Sequence, residues 1–250
     1  MDKRNYLISV WRDTVEKCES GKFSNLILSK SILYYQNDWR FKDIIIENKI
    51  KQTKISIMNE DVLVVAKMLY DKGENNILVL NLASWQISGG GVRNGSMAQE
   101  EELFRRTNYF KSFDNQFHPL KKGEIVYTPK VFVIKDKYYN DLSNPFNLSM
   151  LASAAIMNPI LTDNNKFNNK DYVSMCQIIE NIFKVSILTN HKVLILGGIG
   201  CGAYGCPPEE VAKIFNIYLK KYNGYFETII FAILSKNDDN FNIFEKIIEK

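Results

Sequence analysis

Two short apolar runs, each followed by a glycine-rich loop, constrain this chain more than any other feature. Residues 77–82 read ILVLNL and residues 192–196 read KVLIL. A brief, continuously apolar run is the mark of a strand covered on both faces, as in a parallel sheet. Gly89-Gly90-Gly91 comes soon after the first run, and residues 197–205, GGIGCGAYG, follow the second directly.

Helical and strand patterns alternate around these runs. Tyr6, Val10, Val15 and Cys18 make a helical stripe that ends at Gly21, and a second helix is expected after Ser24-Asn25. Residues 54–58 alternate as a strand, and 60–71 read as a helix with an acidic first turn and Gly73 beyond its end. A helix is expected at about 98–111. Residues 125–127 and 131–134 read as strands broken by Pro129, and 151–156 as another strand. A helix at 171–188 leads into the 192–196 strand. A helix opened by Pro207-Pro208, a strand at 228–234 and an amphipathic helix at 241–248 complete the pattern. This order predicts an α/β fold with a mostly parallel sheet covered on both faces. Ligands of such sheets bind beyond the carboxyl ends of the strands, where both glycine loops fall.

Composition narrows the chemistry. The 250 residues are 46% hydrophobic and 24% charged, which excludes disordered, collagen-like and coiled-coil chains. A net charge of +4 permits an anionic ligand without demanding one. No window reaches the roughly 18–20 apolar residues of a membrane span, and the N-terminus lacks the apolar region of a signal peptide, so a cytoplasmic or nuclear location is expected. Four cysteines without a regular framework read as free thiols, and Cys201 and Cys206 have no second pair to complete a zinc tetrad. With only His118 and His191 available, and His191 in a structural position between a helix and a strand, any acid–base work falls to carboxylates.

The loop at 200–205 matches the dinucleotide pattern G-x-G-x-x-G, but its context does not: it lies late in the chain, and the following strand does not end in an acid. No Gly-Lys-Ser/Thr closes it as a Walker loop. What remains is the physics those loops share, backbone N–H groups and a helix N-terminus facing phosphate oxygens. After the other loop, Gln99-Glu100-Glu101 opens a helix. Glu100 stands three and four residues before Leu103 and Phe104, and Glu101 three before Phe104, so both lean to the apolar face. Glu101 is also four residues before Arg105. Glu102 precedes Arg105 and Arg106 by three and four, as a surface ion-pair partner would.

Gly89-Gly90-Gly91, seven intervening residues and Gln99-Glu100-Glu101 resemble the signature of poly(ADP-ribose) glycohydrolases (PARGs), closest to the shorter microbial type, which are built on the macrodomain fold. Residues 81–84 resemble the segment before the glycines, while Leu103, Arg106 and Tyr109 fit the helix that follows. Tyr127-Thr128-Pro129 resembles a later segment, and residues 200–205 with Pro207-Pro208-Glu209-Glu210 resemble the diphosphate loop and its helix. The likeness runs from about Arg4 to Leu234.

The resemblance implies a three-layer α/β/α macrodomain-like mixed sheet, with residues 1–52 as an N-terminal helical extension packed on a catalytic core of residues 53–250. It implies Glu101 as the catalytic acid, Glu100 holding a ribose hydroxyl and Gln99 placing the pair. Gly89, Gly90 and Gly91 would wrap the diphosphate and distal ribose. Gly198, Ile199, Gly200, Cys201, Gly202, Ala203 and Tyr204 would close over the diphosphate, with Tyr204 shaping the ribose end. Ser84 departs from the Asn common at its position. A register shifted by one would make Glu102 the acid; glycine spacing and helix face favour Glu101.

The implied activity is hydrolysis of ribose–ribose O-glycosidic bonds with release of ADP-ribose, through an oxocarbenium-like state and one Glu acting first as acid, then as base. A mono-ADP-ribosyl hydrolase acting on modified protein or nucleic acid, or a non-catalytic ADP-ribose reader, could use the same pocket. The expected partners are ADP-ribose, its polymer and ADP-ribosylated macromolecules, bound by a monomer without cofactor, metal or membrane.

Overall fold

The computed structural model describes residues 2–45, 52–236 and 238–248. Residues 46–51 of the expected extension lie outside them. Seven strands form one mixed sheet: β1 (Ile32–Tyr34), β2 (Lys54–Met58), β3 (Ile77–Leu82), β4 (Ile125–Lys135), β5 (Asp141–Ser153), β6 (Val193–Leu196) and β7 (Thr228–Ala232), in the order β1-β4-β5-β3-β6-β7-β2. From β5 to β2 every pairing is parallel, whereas β4 runs antiparallel to both β5 and β1. The macrodomain-like α/β/α architecture therefore stands.

Burial explains why β3 carries no polar alternation. Leu78 and Leu80 pack with α4 (Asn169–Leu188), α5 (Pro208–Lys221) and α6 (Asn240–Ile247) on one face. Ile77 and Val79 pack with α1 (Lys3–Glu19), α2 (Val62–Asp71) and α3 (Gln99–Arg106) on the other. Both faces of the strand thus need apolar side chains.

Four expectations are corrected. No helix follows Ser24-Asn25; the next strand, β1, instead adds an antiparallel edge to the sheet, and a single 3-10 turn forms at Trp39–Asp43. Pro129 does not split β4, because the β4–β5 register shifts between Thr128 and Val131 and the ladder continues past it. β5 starts ten residues earlier than its apolar end suggested and ends at Ser153. The helix expected at 98–111 stops at Arg106. Thr107 turns extended and bridges to Val133, while Asn108 bonds the backbone of Phe132 through both its N–H and its side-chain oxygen. A β-branched residue followed by Asn, both engaged by β4, offers the chain a better alternative than another helical turn.

The N-terminal helix backs the helix that carries the acidic signature. Trp11 packs against Phe104 and Phe110, at ring-centroid distances of 6.1 and 5.1 Å, and the Thr14 hydroxyl donates to the carbonyl of Arg105 at 2.5 Å. No helix among the described residues is long and apolar enough to cross a membrane. Because Trp11 is 7% exposed, Trp11→Ala is expected to cost about 3–5 kcal/mol in urea denaturation. Unchanged stability would mean that α1 does not hold α3.

Candidate active site

The parallel strands end together, and the segments leaving β3, β6 and β7 enclose a cleft of about 640 Å³. Every site residue expected from sequence lines it except Gly89 and Cys201. Its far end is bounded by Glu60, Asp61, Leu234, Asp238 and Asn240. Among the described residues that line the cleft there is no Lys or Arg, although several carboxylates face it.

Gln99 fixes the helix to the strand. Its amide oxygen accepts from Leu82 N at 2.9 Å and its amide nitrogen donates to Leu80 O at 2.7 Å. Those are the positions just past Val79, where the β3–β6 ladder ends. One side chain thus satisfies the strand end that β6 leaves open.

Glu100 and Glu101 are 3% and 6% exposed. The two oxygens of Glu100 accept from Ser84 N at 2.8 Å, Asn81 Nδ2 at 3.2 Å and Gly89 N at 3.3 Å. Burial pushes its carboxyl up to about 8; these donors oppose the rise, and the neighbouring Glu101 adds to it. Glu101 Oε1 accepts from Gly91 N at 2.8 Å, whereas its Oε2 is buried without a hydrogen-bond partner among the described residues.

Glu102 is engaged elsewhere, by Arg105 at 2.8 Å and by the Tyr139 hydroxyl at 2.9 Å. The shifted register therefore gives no free acid. Arg106 likewise pairs with Asp61, the residue that caps α2, at 2.8 Å.

The two glycine loops divide the work differently from the sequence expectation. The N–H groups of Gly89, Gly90 and Gly91 are already bonded, to Glu100, the Ile87 carbonyl and Glu101. This loop holds the carboxylates. A Cβ on Gly90, where φ is +51°, would lie 2.6 Å from Glu101 Oε1 and 3.2 Å from Glu100 Oε2. In the second loop the N–H groups of Gly200, Gly202, Ala203 and Tyr204 make no hydrogen bond among the described residues, which leaves them available to an anion. The helix that follows contributes less than expected, because it opens on Pro207 and Pro208, which carry no N–H. Tyr204 joins the loops: its hydroxyl accepts from Trp85 N at 2.9 Å.

Several residues near the site escaped the sequence reading. Asn81 is fully buried at the end of an apolar strand, a signal that was available. His118 packs on Phe113 and reaches the Ser84 carbonyl at 3.2 Å, and Asn115 accepts from Ser88 N at 3.0 Å, so the 113–118 segment props the first loop. No local pattern announced these contacts. The Ser84 hydroxyl accepts from Gln86 N and Ile87 N within its own loop, consistent with its departure from the usual Asn. Tyr127 lies outside the cleft, its hydroxyl 3.1 Å from His191. All four cysteines are free thiols, and no group of three or more His, Cys, Asp or Glu among the described residues is placed to hold a metal ion.

Two outcomes follow from this geometry. A carboxyl that titrates near 8 in the native state but near 4.5 when unfolded keeps a proton that the unfolded chain has released, so stability falls as pH rises between those values, by an amount on the order of a few kcal/mol. Melting temperatures from pH 4.5 to 8 should show that decline, and Glu100→Gln should flatten it. Gly90→Ala should cost about 1–2 kcal/mol of stability through its positive φ. Its effect on turnover should be larger, about a hundredfold, because the carboxylates must move; equal activity in a steady-state assay would contradict that geometry.

Comparison with known proteins bears on the family likeness and the fold. Residues 16–136 match the model of the microbial-type PARG catalytic domain. No curated protein sequence matches the chain. Among solved structures, the PARG of Thermomonospora curvata superposes with a TM-score of 0.83 at 22% identity, covering 97% of this chain and 99% of that one. The same enzyme bound to the inhibitor ADP-HPD gives 0.81 at 23% identity with the same coverage. The PARG of Deinococcus radiodurans in complex with ADP-ribose gives 0.73 at 20% identity, covering 86% of this chain and 93% of that one. At these identities the structural likeness establishes the fold. Residues 16–136 are thus similar in sequence to the microbial-type PARG catalytic domain, and the chain shares the fold of the PARG structures.

Proposed function

We propose that this chain is a glycosidase that hydrolyses the ribose–ribose O-glycosidic bonds of poly(ADP-ribose) and releases ADP-ribose. The observation that carries this reading is Glu101: one oxygen is fixed by Gly91 N, and the other is buried, without a partner among the described residues, in a cleft whose opposite loop offers N–H groups unused among those residues. A cleft of about 640 Å³ lies within the roughly 300–1,000 Å³ usual for small-molecule sites. The Deinococcus radiodurans structure holds ADP-ribose, and the same ligand suits this cleft.

In the proposed reaction the diphosphate lies on the N–H groups of Gly200, Gly202, Ala203 and Tyr204, and Glu100 bonds a hydroxyl of the distal ribose. Its raised pKa favours the protonated form of Glu100, which makes it able to donate as well as accept. Glu101 gives its proton to the departing ribose oxygen as the C–O bond breaks through an oxocarbenium-like state. It then takes a proton from the water that attacks the same carbon, and so returns to its starting form. Such acid–base assistance supplies roughly 10²–10⁴-fold, and fixing the ribose between Tyr204 and the first loop supplies further rate by orientation.

Residues 53–250 are taken as the catalytic core and residues 1–52 as an N-terminal extension that contributes the edge strand β1 to its sheet, acting in the cytoplasm or nucleus. Incubation with labelled polymer tests the reading: wild-type protein should shorten the chains to ADP-ribose. Glu101→Gln should lose at least about a hundredfold in turnover yet still bind ADP-ribose in calorimetry. Undiminished polymer with wild-type protein overturns the reading. Release of ADP-ribose only from singly modified protein would mark a mono-ADP-ribosyl hydrolase, and binding without hydrolysis of any conjugate would mark a reader.

A further inference from the structure

A second cavity, of about 370 Å³, abuts the carboxylate end of the cleft. It is lined by Trp85, Lys121, Lys122, Ala155, Met157 and Asn158, with Ala155 lining both spaces. The partition between them is built rather than accidental. Trp85 N donates to the Tyr204 hydroxyl, Trp85 O accepts from Leu120 N at 2.8 Å, and the indole N–H lies 3.4 Å from Met157 Sδ. Trp85 also follows Ser84, whose N–H holds Glu100. The cavity is therefore next to the end of the cleft where the proposed bond breaks, and away from the end bounded by Asp61 and Asp238.

Its chemistry differs from that of the main cleft. Among the described residues, the cleft lining has carboxylates and no Lys or Arg, and the cavity lining has two lysines and no carboxylate. Neither lysine ammonium makes an ion pair among the described residues: the Lys121 main-chain N–H donates to Glu124 at 2.8 Å, and Lys122 Nζ donates to the Ser174 hydroxyl at 3.3 Å. An indole that is 36% exposed beside two cations suits a nucleotide: an aromatic face for a base, and positive charge for its phosphates.

We propose that this cavity is a subsite for the leaving-group side of the substrate, taking the base of the adjoining nucleotide against Trp85 and its phosphates at Lys121 and Lys122. The inference rests on the hydrolase reading above and deepens it: the protein would recognise two consecutive units of the polymer, one on each side of the scissile bond. The subsite would favour polymer over a single ADP-ribose attached to a side chain, since only the polymer places a nucleotide there.

Binding of a two-unit ADP-ribose oligomer and of free ADP-ribose to the Glu101→Gln protein tests this without turnover. The oligomer should bind about tenfold more tightly at low salt, and Lys121→Glu with Lys122→Glu should abolish that advantage while leaving the affinity for free ADP-ribose unchanged. Trp85→Ala, in the same background, should reduce the oligomer's advantage as well. An oligomer no tighter than the monomer, or an advantage that survives the lysine changes, overturns the subsite. Polymer hydrolysis by the wild-type protein is scored separately, so loss of the subsite leaves the hydrolase reading intact, and absence of hydrolysis overturns that reading alone.

Discussion

Two adjacent carboxylates buried at the start of one helix impose the requirement from which the rest of the site follows. A buried carboxyl group is costly unless a donor meets it or it keeps a proton, and successive helical side chains point in directions about 100° apart. One supporting segment cannot serve both. Glu100 is met by the end of β3 through Asn81 and Ser84 and by Gly89, and Glu101 by Gly91. The glycine between those loop residues lies where both side chains converge and leaves no space for a Cβ. Gly90 is thus required by the acids before any ligand is considered, whereas a Cβ on Gly89 would meet the Phe104 ring and one on Gly91 the Ser96 side chain.

That requirement explains the division between the loops. Because the N–H groups of the three glycines in the first loop are spent on the two carboxylates and the Ile87 carbonyl, an anion must find donors elsewhere, and among the described residues the second loop offers Gly200, Gly202, Ala203 and Tyr204. The nearby cations do not compete. Arg105 and Arg106 are buried and held by Glu102 and Asp61, so the charge of α3 is balanced internally instead of being presented to the cleft. Placing an anionic ligand beside carboxylates is unfavourable unless one of them is protonated, and burial of Glu100 raises its pKa in that direction.

Local pattern revealed the parts of this arrangement that depend on residues close in sequence. The runs at β3 and β6, the glycine loops beyond them and the order Gln99-Glu100-Glu101 all lie within single elements or their immediate ends. Helix position also sorted Glu102 from the other two acids, and its bonds to Arg105 and Tyr139 show why. Elements fixed by distant partners were harder to read. The polar first half of β5 becomes a strand by pairing with β4, and α3 stops at Arg106 because β4 engages Thr107 and Asn108.

The N-terminal region shows the same limit from the other direction. Its helical stripe was plain, but the stripe does not say what it covers. Trp11 meets Phe104 and Thr14 meets Arg105 across some ninety residues of sequence, so α1 sits directly behind the helix that presents the acids. β1 does something similar at the sheet edge, where Ser31, just ahead of it, bonds both Ser112 O and Thr128 Oγ1 at 2.7 Å. The segment carrying Ser112 continues into the turn that props Ser84 and Ser88. Residues with no chemistry of their own therefore constrain the acids from behind, which is the geometric condition for one oxygen of Glu101 to remain buried, unpartnered and fixed in place.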